Sequence, residues 1–151
     1  MKRQKYVDSL KKGSVLWKVC TYITEDGRRH VDVDRFVVSS IRNLPKPYWN
    51  GHTFLRGCIK TIYVRDFDGG KLVSRFTVGD DLPRGFYTTQ LQALKFAKFD
   101  VENSIKWYEE EIRVKQFSEN VMAEYHEELN DHVIMLRNIK GKITKLKKAN
   151  K

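Results

Sequence analysis

Apolar and polar positions alternate along the first half of the chain and recur every three or four residues along the second. Val15 to Ile23 is rich in β-branched and aromatic residues and predicts a strand. Glu25-Asp26-Gly27-Arg28 follows, and Asp-Gly is a strong hairpin signal. His30 to Ile41 alternates at Val31 and Val33 and then shifts phase at Phe36-Val37-Val38. That shift predicts a bulge, which bends a strand. Leu44 to Gly51 contains Pro45 and Pro47 and reads as a loop, because proline cannot donate to a central ladder. Phe54 to Asp66 predicts another strand, with Ile59, Ile62 and Val64 apolar. Asp68-Gly69-Gly70-Lys71 predicts a turn and Leu72 to Val78 a fourth strand. Asp80 to Gly85 reads as a second loop, and Phe86-Tyr87 as a short closing strand.

From residue 89 the period changes. Thr89-Gln90-Leu91-Gln92 fits a capping box, with the Thr hydroxyl facing the backbone N–H three residues on and the Gln reaching back. Leu94, Val101, Ile105, Tyr108 and Ile112 form one helical stripe. Met122, Tyr125, Leu129, Val133 and Leu136 form a second, and Lys115 and Glu119 interrupt the join. Ser118 is placed to cap a second helix. One unbroken helix over 89–137 would be about 70 Å long. Either two helices fold back as a hairpin, or an extended helix pairs with a second copy. Gly141 should weaken the helix before the last residues.

These patterns predict an α+β fold: a small antiparallel β-barrel or bent sheet of four or five strands, followed by a long helical region. The expected divisions are a basic N-terminal segment over 1–14, a barrel-like domain over 15–88, an amphipathic helical region over 89–137 and a basic tail over 138–151.

Charge sharpens this picture. The chain of 151 residues is 40% hydrophobic, enough for a core, and carries a net charge of +10 with a pI near 9.6. A field of that sign attracts polyanions. The charge is uneven: residues 1–14 are net +4, residues 109–136 net −6 and residues 137–151 net +7. Met1-Lys2-Arg3-Gln4-Lys5 runs into a polar stretch and not into the apolar core of a leader, and no run approaches a membrane span. Cys20 and Cys58 are therefore expected as reduced thiols inside strands, and the protein as soluble and cytoplasmic.

Cationic clusters are the leading candidates for chemistry. Arg137, Lys140, Lys142, Lys145, Lys147 and Lys148 would track phosphates as an arm, each neutralised phosphate releasing counterions. Ile139, Ile143 and Leu146 keep helical spacing within that segment, so part of it can dock. Lys2, Arg3, Lys5, Lys11 and Lys12 form a weaker N-terminal cluster. Arg28 and Arg29 lie at a hairpin tip, either gripping phosphate or serving as ordinary surface charge. The loop at Tyr48-Trp49 would stack on bases, with Arg42, Lys46 and Arg56 supplying charge; the competing reading folds both rings over the core.

Metal and catalytic readings are poor. His126 and His132 are six apart, where a helical zinc pair stands four apart, and His30 and His52 have no local partner. Asp32 and Asp34 share a strand face beside His30 and Arg35 and read first as surface charges. No cofactor is implied. The run of Glu109, Glu110, Glu111, Glu119, Glu124, Glu127, Glu128 and Asp131 reads as the wet side of an amphipathic helix.

Leu10-Lys11-Lys12-Gly13-Ser14-Val15-Leu16-Trp17-Lys18-Val19 resembles the opening of small SH3-like barrels of the KOW and Tudor type. Gly85-Phe86-Tyr87-Thr88-Thr89-Gln90-Leu91-Gln92-Ala93-Leu94 is similar to the closing strand and helix cap of small barrel proteins of tailed phages. Size and charge also resemble the modifier-of-transcription accessory proteins of T-even-like phages. The resemblance covers about residues 10–100 and implies non-specific DNA binding or the remodelling of a host factor. The functional expectation is a non-enzymatic, largely sequence-nonspecific nucleic-acid-binding protein, with DNA the preferred partner. The alternative is an interaction module that binds an acidic host protein or self-associates through the face Met122, Tyr125, Leu129, Val133 and Leu136.

Overall fold

The computed structural model describes residues 1–68 and 70–151. A curled antiparallel sheet, a half-barrel, has the strand order β1-β2-β5-β6. Its strands are β1 (Val15–Ile23), β2 (Arg29–Pro45), β5 (Cys58–Asp66) and β6 (Leu72–Thr77). Between β2 and β5 lie the two-residue strands β3 (Tyr48–Trp49) and β4 (Phe54–Leu55). Helices α1 (Gln90–Val114) and α2 (Glu119–Ala149) follow. The α+β expectation holds, and the helical region is a hairpin. The expected turn after Asp68 includes Gly69, which lies outside the described residues.

Two compact units divide the chain: Lys2–Lys18 with Arg35–Thr88, and Val19–Asp34 with Thr89–Lys151, to which Met1 also belongs.

In the first unit the expected bulge is present. Val38 faces Val64 and Ser40 faces Tyr63, so Ser39 is the extra residue, and its hydroxyl donates to the Tyr63 carbonyl at 3.2 Å. Phe36, Val38, Ile62 and Val64 are buried, as are Leu10, Leu16, Leu82, Phe86 and Tyr87. Phe86-Tyr87 does close on β1: Trp17 and Tyr87 exchange backbone hydrogen bonds of 2.7 and 2.9 Å. The N-terminal segment is tied down, since Gln4 accepts from the Leu82 and Thr88 backbone N–H groups, each at 2.8 Å.

In the second unit, Val31, Leu94, Val101, Met135 and Ile139 form a buried cluster, with Ile143 and Leu146 packed against it. The Thr89 hydroxyl accepts from Gln92 N–H at 3.3 Å, as a capping box requires. The return bond differs: the Gln92 carboxamide oxygen accepts from that same hydroxyl at 3.1 Å. Ser118 stands at the α2 N-cap without a side-chain cap bond. Residues 138–149, read as part of a tail, are the last third of α2. Ile139 is fully buried there, and that burial outweighs the roughly 1 kcal/mol cost of Gly141 in a helix.

Candidate nucleic-acid interface

The segment read as a loop after Leu44 is the end of a two-stranded ribbon. β2 and β5 pair from Phe36↔Asp66 to Pro45↔Cys58. Lys46 N–H then donates to the Gly57 carbonyl at 2.8 Å, and β3 and β4 continue as Tyr48↔Leu55 and Trp49↔Phe54. The prolines do not break this ribbon. Pro45 ends β2, and Pro47 falls between β2 and β3.

The tip is pinned. Asn50 Oδ1 accepts from the His52 and Thr53 backbone N–H groups, each at 2.9 Å. Gly51, at φ +100°, takes the left-handed corner that other residues resist. Gly57 meets a different demand: a Cβ there would stand 2.8 Å from the Lys46 carbonyl oxygen and 3.0 Å from the Tyr48 ring.

The aromatic residues do not fold over the core. Tyr48, Trp49 and Phe54 are 54%, 57% and 71% exposed. Trp49 and Phe54 lie against each other with ring centroids 5.1 Å apart. Alternation along a strand places Tyr48 and Leu55 on one face of the ribbon and Trp49 and Phe54 on the other.

No carboxylate stands near these rings in sequence. Between Asp34 and Asp66 the chain has no acid at all, while Arg35, Arg42, Lys46, Arg56, Lys60 and Arg65 are cations. Arg42, Lys46, Arg56 and Lys60 are exposed on the ribbon, and among the described residues none of the four pairs with a carboxylate. Arg42 instead sits 5.5 Å from the centre of the Tyr63 ring. Lys60 is a member of this group that the sequence reading missed. The available signal is the acid-free interval itself, from Arg35 to Arg65. Lys2, Arg3, Lys5, Lys11 and Lys12 are also exposed and belong to the same unit.

In the other unit the hairpin-tip arginines and part of the C-terminal cation cluster meet. Arg28, Arg29, Arg137, Lys142 and Lys145 line a cleft of about 650 Å³, together with Asp32 and Asp131. Here charge is partly cancelled. Arg29 donates to Asp131 at 2.6 Å and to Glu128 at 3.2 Å. Its guanidinium is held above its ordinary pKa, chiefly by the Asp131 hydrogen bond. Lys142 lies 3.7 Å from Asp32, and Arg28 lies 3.3 Å from Asp26. Asp26 is held below the usual carboxylate range, first by the Thr24 hydroxyl and then by the Arg28 backbone N–H. Lys140, Lys147 and Lys148 are exposed elsewhere on α2.

The apolar stripe of α2 is largely spent inside the hairpin. The Tyr125 ring packs on Trp107, Tyr108 and Phe117 at centroid distances of 5.9, 5.6 and 4.8 Å. Leu136 packs against the buried cluster, Met122 and Leu129 are half-buried, and Val133 is exposed. Asp32 serves as partner to Lys142 and to the Tyr22 hydroxyl, whose pKa that hydrogen bond raises. Among the described residues, no group of three or more His, Cys, Asp or Glu side chains is arranged to hold a metal, and no helix is long and apolar enough to cross a membrane.

Comparison of the chain with protein-family profiles, with curated proteins and with solved structures finds no match.

Proposed function

We propose that this chain is a non-enzymatic nucleic-acid-binding protein that grips the phosphate backbone with little base readout. The β2–β5 ribbon is its principal contact. The observation that carries this reading is the set of four exposed cations, Arg42, Lys46, Arg56 and Lys60, on the part of the ribbon between Asp34 and Asp66, which has no acid. An unpaired surface cation keeps its full attraction for phosphate, whereas one already held by a carboxylate must exchange partners. The exposed lysines of α2 and of the N-terminal segment add to the field without reading sequence.

Binding of this kind weakens linearly in log affinity against log salt, by about 0.9 for each duplex phosphate neutralised. Titration of labelled DNA of unrelated sequences should give similar affinities and parallel slopes. Affinity unchanged between about 50 and 200 mM salt would exclude the reading.

A second reading, self-association through the helices, draws on Trp107, Val114 and Val133, which stay 50%, 60% and 48% exposed on the helical hairpin. Light scattering on the full chain separates it from the first. A mass that halves in Val133→Glu, with DNA affinity unchanged, would favour it.

A further inference from the structure

We infer that the ribbon tip is a stacking platform for unpaired bases, so that within nucleic acids the preferred ligand is single-stranded. This rests on the phosphate-binding reading above and names the substrate class of the same ribbon. The Trp49–Phe54 pair presents aromatic surface to solvent on one face, and Tyr48 with Leu55 lies on the other. Every base has a π-face, so rings that stack on bases bind without choosing among them. Base-edge reading needs side-chain donors and acceptors; at the tip these are the exposed Asn50, His52 and Thr53. The Asn50 carboxamide oxygen is already committed to two backbone N–H groups of the turn. That pinned turn also holds the rings before a ligand arrives, which lowers the ordering cost of binding. Lys46 and Arg56 flank β3 and β4 in sequence and are exposed, so they supply positive charge on either side of the rings. Charge is what selects this occupant over a neutral apolar partner: exposed aromatics among the cations of the acid-free interval between Asp34 and Asp66 match a ligand carrying both flat rings and phosphates.

Fluorescence anisotropy on the full chain tests this. The probes are a labelled oligothymidylate of about 20 nucleotides, a duplex of equal length, and heparin, which has charge but no bases. Vesicles containing phosphatidylserine form the membrane arm. Three paired variants are compared: Trp49→Ala with Phe54→Ala, Trp49→Leu with Phe54→Leu, and Trp49→Tyr with Phe54→Tyr. The leucine pair keeps an apolar cross-strand contact and so holds the ribbon, but it removes the π-faces.

Oligothymidylate should bind at least about tenfold more tightly than duplex at equal salt. The alanine and leucine pairs should both lose about tenfold or more on oligothymidylate, the tyrosine pair should retain most of the affinity, and heparin binding should be unchanged in all three. Equal affinity for single strand and duplex, with all three variants neutral, overturns the inference. It leaves the phosphate reading standing if Lys46→Glu with Arg56→Glu still weakens both. Retention of single-strand affinity by the leucine pair, or tighter binding to vesicles than to oligothymidylate, also overturns it. Absence of binding to every nucleic acid at low salt overturns the phosphate reading itself.

Discussion

Arg29 and Lys46 are both cations in a basic protein, and their surroundings give them different work. Arg29 is held by Asp131 and Glu128, with 24% of its side chain exposed. Arg29→Ala should therefore lower stability by about 1 kcal/mol, seen as a lower melting temperature, while changing DNA affinity little. Lys46 faces solvent without a carboxylate, and its loss should show the reverse. Gly57 is equally specific. Gly57→Ala forces the Lys46 carbonyl or the Tyr48 ring to move, so it should weaken single-strand binding severalfold while the core stays folded by circular dichroism. Tyr108 carries a pH signature. Burial, and then the charge of Glu128, raise its phenol above the ordinary value near 10. The fold favours the neutral phenol, so this contribution is complete below about pH 10 and fades as pH rises through the shifted value. Tyr108→Phe should thus lose less stability than the parent chain on going above pH 10, measured by denaturant midpoint; parallel losses would contradict this assignment.

At the scale of elements, α2 shows what the pattern could and could not say. Ile139, Ile143 and Leu146 were visible at helical spacing, yet Gly141 suggested weakening ahead of a tail. Helix propensity is a local cost of about 1 kcal/mol, and the burial of Ile139 is a tertiary gain that no local window registers. Ile139→Ala should cost about 3 kcal/mol in chemical denaturation. Gly141→Ala should add up to about 1 kcal/mol, since a Cβ there meets nothing within 4 Å. The ribbon shows the opposite limit. Pro45 and Pro47 suggested a loop from Leu44 onward, but β2 runs through Pro45, and two residues on either side of a four-residue turn suffice for a hairpin beyond it. The bulge after Val38, the Asp26-Gly27 turn, the Thr89 cap and the break near Ser118 were legible because each rests on neighbours in sequence. Arg29 beside Asp131 was not, since about a hundred residues separate them.

For the molecule as a whole, a net charge of +10 predicts attraction to polyanions but does not say where. The proposed location draws on which cations already have partners. Around the cleft of the helical unit, carboxylates hold Arg28, Arg29 and Lys142. Along the ribbon of the other unit nothing comparable does; Arg137, Lys140, Lys145, Lys147 and Lys148 of α2 likewise pair with no carboxylate among the described residues, and the ribbon adds exposed aromatic rings to its cations. That contrast was invisible to a segment-by-segment charge count and requires the paired geometry. It makes the ribbon the expected site of the steepest salt dependence.

The most direct measurement is therefore DNA affinity as a function of salt for the parent chain, for Lys46→Glu with Arg56→Glu, and for Lys145→Glu with Lys148→Glu. The ribbon reversal should lower affinity most and flatten the log–log slope by about 2, near 0.9 for each lost phosphate contact. If the helix reversal abolishes binding while the ribbon reversal leaves affinity and slope unchanged, the ribbon is not the contact surface.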